Sequence, residues 1–169
     1  GVTPSGMSPA PAITMSPEGN PPGTFVEGAQ VSVSAEAHVS GGANGYDFIE
    51  WSGQGSANPI TVVMDSDKSL TAVYDAVVMF PDANLDAAVR TAIAKPTGTI
   101  HKVDLAGLVS LSLPFTKPVA NLTGLEACTN LHCLSILDGT ISNLSPLSGL
   151  AGLTSLCLQS CGLTNISPL

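Results

Sequence analysis

An apolar rhythm of 22 residues runs through the last third of the chain. Leu131, Leu134 and Ile136 are followed 22 positions later by Leu153, Leu156 and Leu158. The register continues through Ile141/Leu163, Leu144/Ile166 and Leu147/Leu169, and in part backwards to Val119, Leu122 and Leu125. A fixed period of this size specifies stacked supersecondary units, none able to bury its apolar face alone, rather than one closed core.

Spacing within a unit predicts its shape. Leu134 and Ile136 are two apart, as on one face of a strand. From Ile141 the apolar residues come every three, through Leu144, Leu147, Leu150 and Leu153. That is the period of a 3₁₀ helix, so the return limb should be tight turns that tolerate Pro146. Strand, turn and loose return, once stacked, place parallel strands on one face of a solenoid. In the pattern L-x-x-L-x-L-x-x-N-x-I-x-x-L-x-x-L the chain resembles the leucine-rich repeats of the internalin type, over roughly residues 78–169. The asparagine column of that family holds Gly139 and Cys161 here, so no asparagine ladder is expected. The first repeat, Leu108, Leu111 and Leu113, carries one extra residue around Pro114–Pro118.

Residues 1–11 are small, proline-rich and uncharged, which is linker chemistry. Residues 12–76 read as a β-rich module. Val31, Val33, Ala35 and Ala37 alternate with polar residues as on a half-buried strand. Apolar stretches follow at Tyr46–Trp51, Ile60–Met64 and Leu70–Tyr74, parted by turn-forming residues. With the Glu18–Gly23 turn, Gly45-Tyr46-x-Phe48-x-x-Trp51 and the closing Leu70-Thr71-Ala72-Val73-Tyr74, this segment resembles the divergent internalin-type B-repeat module. The resemblance implies a small β-grasp-like unit acting as a spacer, with His38–Asn44 longer than the family's usual turn.

Residues 77–107 should cap the solenoid. Asp82 precedes an amphipathic run with Leu85, Ala88, Val89, Ala92 and Ile93 on one stripe, Phe80 is placed to staple it, and Lys95-Pro96 ends it. Asp104 should start a short helical turn leading to Leu108. The segment also resembles the helical cap that precedes internalin-type repeats.

Several motifs invite sharper chemistry. Asp82-x-Asn84-x-Asp86 opens like a calcium loop, but Ala87 and Ile93 stand where that loop needs Gly and Glu, which favours helix capping. Asn121-Leu-Thr123, Asn143-Leu-Ser145 and Asn165-Ile-Ser167 are formal glycosylation sequons, yet they recur at 22 and are expected as repeating turns. His132-Cys133 does not make a nucleophilic pair, because neighbours on a strand point to opposite sides. Trp51, with Tyr46 and Phe48, could offer a sugar-stacking platform, but so few aromatics are expected in the core. Cys133 and Cys157 should lie diagonally on the open face, with Cα atoms about 8 Å apart and beyond disulfide reach. Cys128 and Cys161 should be buried, and free thiols are expected at all four positions, with no zinc site.

The chain carries a formal net charge of −8 with only five lysines and arginines, which argues against nucleic acid or an anionic membrane as partner. No apolar run is long enough to span a bilayer. There is neither an initiating Met nor a signal peptide, so a mature form or an excerpt is expected. The fold class expected is α+β: a β-grasp-like module, then at 108–169 about three leucine-rich repeats under a helical cap, their parallel sheet ending in an open edge.

A broad face without a catalytic pocket points to a non-enzymatic module that binds protein or mediates adhesion without cofactor or metal, and the resemblance to internalin-type modules implies a secreted or cell-surface bacterial protein. The alternative is a set of accessory modules of a larger secreted hydrolase. The candidate binding positions are Ser110, Ser112, Cys133, Ser135, Ser155 and Cys157, all small and uncharged. The anchoring residues are therefore expected in further repeats or domains of the same chain.

Overall fold

The computed structural model describes residues 12–16 and 25–167. The linker at 1–11, the Glu18–Gly23 turn, the Leu147/Leu169 pairing and the open edge expected at Leu169 lie outside the described residues. The chain divides into two compact units, Gly1–Ala76 and Val77–Leu169.

The first unit is built of antiparallel strands. β1 (Ile13–Ser16), β2 (Ala29–Ala35) and β5 (Ile60–Met64) form one sheet with β2 in the middle. β3 (His38–Val39), β4 (Tyr46–Trp51) and the beginning of β6 (Ala72–Val78) form the other, with an irregularity between Phe48 and Glu50. Alternation on β2 sends Val31, Val33 and Ala35 inward, where Trp51 and Tyr74 complete the core. Ala37 lies beyond the strand and is exposed, and β6 begins at Ala72 rather than Leu70.

Phe48 stacks at a tilt on Trp51, with ring centroids 5.4 Å apart, and meets Tyr74 edge-on at 5.8 Å. The side chain of Asn58 closes the end of β2, accepting from Ala35 N at 3.0 Å and donating to Ala35 O at 2.8 Å. Its peptide bond to Pro59 is cis. The described residues of this unit form two small antiparallel sheets with no helix among them, which fits the β-rich part of the β-grasp-like expectation.

In the second unit Val77 and Val78 pair with His101 and Ile100 of β7 (Ile100–His101). Helix α1 (Ala83–Ala92) buries Leu85 and Val89, with Phe80 buried beside them in the same core. Asp82 caps it, accepting from Asn84 N at 3.0 Å and Leu85 N at 3.1 Å. The helix ends before Lys95-Pro96, Ile93 is its C-cap, and Ala92 is exposed rather than part of the buried stripe. The 3₁₀ turn begins at Lys102, and Asp104 is its third residue, reaching back to accept from His101 N at 2.8 Å.

Three parallel strands follow, β8 (Ser110–Leu113), β9 (Cys133–Ile136) and β10 (Ser155–Leu158), with β9 central. Ser110 and Ser155 both pair with Cys133, offsets of 23 and 22 residues, so the inserted residue is absorbed between Leu113 and Val119. Return limbs contain 3₁₀ turns at Leu125–Ala127 and Ser145–Leu147. Leu111, Leu113, Leu134 and Ile136 are at most 3% exposed. Leu156 and Leu158, expected to be buried, are half-buried, and Ile166 is 65% exposed although Leu144, its counterpart, is buried. β10 pairs on one side only, with β9, so its apolar face is covered from one direction among the described residues.

Two columns explain the missing asparagine. Gly139 bridges Val119 so closely that a Cβ there would lie 2.2 Å from Val119 O. Backbone therefore meets backbone: Val119 N donates to Asp138 O at 3.1 Å and Thr140 N to Val119 O at 2.9 Å. In the next column the Cys161 thiol contacts Ile136 O at 3.5 Å and Gln159 O at 3.2 Å. Asn121, Asn143 and Asn165 each accept from the backbone N two residues on at 2.9 Å, one Asx turn repeated at 22.

Candidate functional site

The pleat brings all six candidate residues to one face in two rows. Ser110, Cys133 and Ser155 make the first row, Ser112, Ser135 and Cys157 the second. Ser135, in the central strand, is half-buried, and the other five are exposed. None of the six carries a formal charge as thiol or hydroxyl, so the face is built of small, weakly polar side chains. Cys133 and Cys157 occupy diagonal positions, and all four cysteines are free.

The other two thiols are buried and inert. Burial, helped by Glu126, pushes the Cys128 thiol up to about 12. Cys161 is raised by burial and then by Asp138 and Cys157. Neither supplies a thiolate near neutral pH. His132 sits beside Cys133 with its Nδ1 2.7 Å from Asn130 O, so that nitrogen is engaged by backbone.

The calcium-like triplet is spent on architecture. Asp82 holds four backbone N–H groups, those of Asn84 and Leu85 in the helix and of Ala120 and Asn121 at 2.8 and 3.3 Å. Burial would raise its carboxyl, but these donors hold it below the usual carboxylate range. Asn84 donates to Pro118 O at 2.7 Å, and Asp86 pairs with Arg90 at 2.8 Å. Trp51 is wholly buried in the first unit and offers no stacking surface.

One feature escaped the sequence reading. A groove of about 290 Å³ runs between the Ala87, Ala88 and Thr91 side of α1 and Ser110 and Ser112 of β8. Asn84 and Lys117 also line it, and the Asn84–Pro118 bond sets them at the same end. Its signal was the run of small residues on the helix flank beside a lysine in the inserted loop, which looks like ordinary solvent-facing composition.

Residues 12–78 match the family of divergent InlB B-repeat domains. The chain is similar to two internalins of Listeria monocytogenes with solved structures. It is 32% identical to internalin InlF at a TM-score of 0.50, over 53% of this chain and 26% of that one. It is 36% identical to internalin C2 at the same TM-score, over 53% of this chain and 40% of that one. The chain thus spans well under half of either. No curated protein matches it. The β-rich first segment is thus similar to internalin-type B-repeat modules. Among the described residues no helix is long and apolar enough to cross a membrane.

Proposed function

We propose that the chain is a non-enzymatic interaction segment of a secreted or cell-surface bacterial protein. In this reading, the second unit is the capped start of a leucine-rich-repeat solenoid, α1 is its lid, and the B-repeat module at 12–76 is a spacer. Partner proteins meet the solenoid on the strand face that carries Ser110, Ser112, Cys133, Ser135, Ser155 and Cys157. The observation that supports it is the parallel register, in which successive strands stack at 22–23 residues with leucines inward and six small side chains outward. A rigid face of small side chains suits close contact with another protein surface and leaves no enclosed site for chemistry.

The internalin likeness agrees with a surface-associated role. The test is binding to an array of purified extracellular proteins by the wild-type chain, Ser135→Arg and Ser155→Arg. The reading expects partners that both substitutions lose while the fold is kept. Partners that ignore both substitutions, or none at all, overturn it.

A further inference from the structure

The parallel register sets two thiols on one diagonal of the sheet. Cys133 stands opposite Ser155 and Cys157 opposite Ser135, so the cysteines lie on neighbouring strands, offset by two residues, and both are exposed on the same face. Strands about 4.8 Å apart and an offset of about 6.6 Å put their Cα atoms about 8 Å apart. A disulfide joins Cα atoms at about 4.4–6.8 Å through a sulfur–sulfur bond of about 2.05 Å. Two metal–thiolate bonds of about 2.3 Å in line separate the sulfurs by about 4.6 Å instead, which moves the reach to about 7–9 Å. The diagonal is too wide for a disulfide and suits one ion held between two thiolates.

The surroundings select the ion. Among the described residues no three His, Cys, Asp or Glu side chains are grouped to hold a metal, so the four ligands of a structural zinc site are not assembled. Calcium and magnesium need several oxygen ligands, carboxylates above all, and the six side chains of this face include no carboxylate. A pair of sulfurs suits a soft ion satisfied by two ligands, and thiolate sulfur favours copper(I). Hydroxyls lie in the same row as each sulfur, Ser110 and Ser155 beside Cys133 and Ser135 beside Cys157. They can donate to the thiolates and steady them. No large side chain stands at residues 133, 135, 155 and 157 to keep the ion out. Cys128 and Cys161 are buried and do not compete.

We infer that Cys133 and Cys157 together bind one copper(I) ion in two-coordinate geometry. Each thiol gives up its proton to solvent, so one ion and two thiols yield an anionic bis-thiolate and two released protons, and the copper keeps its oxidation state. The site adds a metal where the sequence led to none. It goes beyond the protein-contact reading of this face and does not rest on it, because its test contains no partner protein.

The whole reduced chain is titrated under argon with copper(I), supplied as its acetonitrile complex against a chelating competitor. The expected result is one ion retained per chain, two protons released, and joint protection of Cys133 and Cys157 from alkylation in a chain that stays monomeric in sedimentation. X-ray absorption of the loaded protein should show two sulfur neighbours around the copper. Cys133→Ser and Cys157→Ser, both at exposed positions, should each weaken retention about hundredfold, since the second thiol no longer binds within the same molecule. Circular dichroism of the variants matching wild type separates loss of the site from loss of the fold. No retention against the competitor, equal retention by either single variant, or one ion shared between two chains overturns the proposal. Ready formation of a Cys133–Cys157 disulfide in the native chain under a mild oxidant overturns it as well, because the thiols would then lie closer than the register sets them.

Discussion

Replacing Gly139 by Asn should destabilise the protein, even though asparagine is what the repeat pattern calls for in that column. The reason is backbone proximity. A Cβ at 139 would sit 2.2 Å from Val119 O and 3.3 Å from Val119 N, and the crowded atoms are main chain, which cannot rotate away. Relieving the clash means parting the two limbs, which lengthens the Val119–Asp138 and Thr140–Val119 bonds. Each such bond contributes about 1 kcal/mol net, and forcing extra volume into a packed site costs about 1–3 kcal/mol. Allowing for partial relaxation, the loss should be about 2–4 kcal/mol for Gly139→Ala and no smaller for Gly139→Asn. Trp51 belongs to the other unit, so urea unfolding should be followed by far-ultraviolet circular dichroism rather than tryptophan fluorescence. A Gly139→Ala change within about 0.5 kcal/mol of wild type, or stabilisation by Asn, would refute the backbone-contact account.

Other outcomes follow from particular contacts. Asp82→Ala should lose about 2–3 kcal/mol, since one carboxylate serves both a helix cap and two amides of the return limb. Because its folded carboxyl is held below the ordinary value, that contribution is full above about pH 5, fades as pH falls through the folded value, and is absent from the variant; a parallel pH dependence of the two proteins would contradict it. Leu134→Ala should cost about 3–5 kcal/mol and Leu156→Ala clearly less, because Leu134 is 1% exposed and Leu156 half-buried; equal losses in urea unfolding would contradict the one-sided cover of β10. A thiol reagent at neutral pH should modify Cys133 and Cys157 in the native protein, and Cys128 and Cys161 only on unfolding, as read by mass spectrometry.

The sequence made some elements legible because the physics was local or periodic. The two-residue step in Val31–Ala35 and in Leu134–Ile136 set which side chains turn inward, and the 22-residue interval set Cys133 opposite Ser155. Asp82 declared itself as a cap by its place before an apolar stripe. What could not be read depended on neighbours distant in sequence. Leu156 carries the same letter as Leu134, and only the one-sided pairing of β10 leaves it half-buried. Gly139 looked like a failure of the pattern, whereas the carbonyl of Val119 takes up the space an asparagine would need. The six candidate positions were placed on one face by alternation alone, but the groove beside them forms where α1 packs against β8, which no spacing encodes.

The parallel strand register carries the whole account, since it determines which residues face outward and what lies at the edge of β8. Interstrand nuclear Overhauser effects measure it directly. The account predicts cross-peaks joining residue 133 to both 110 and 155, and residue 135 to both 112 and 157, in the pattern of parallel strands. Cross-peaks shifted by one residue, or arranged as between antiparallel strands, would turn the leucines outward and contradict it.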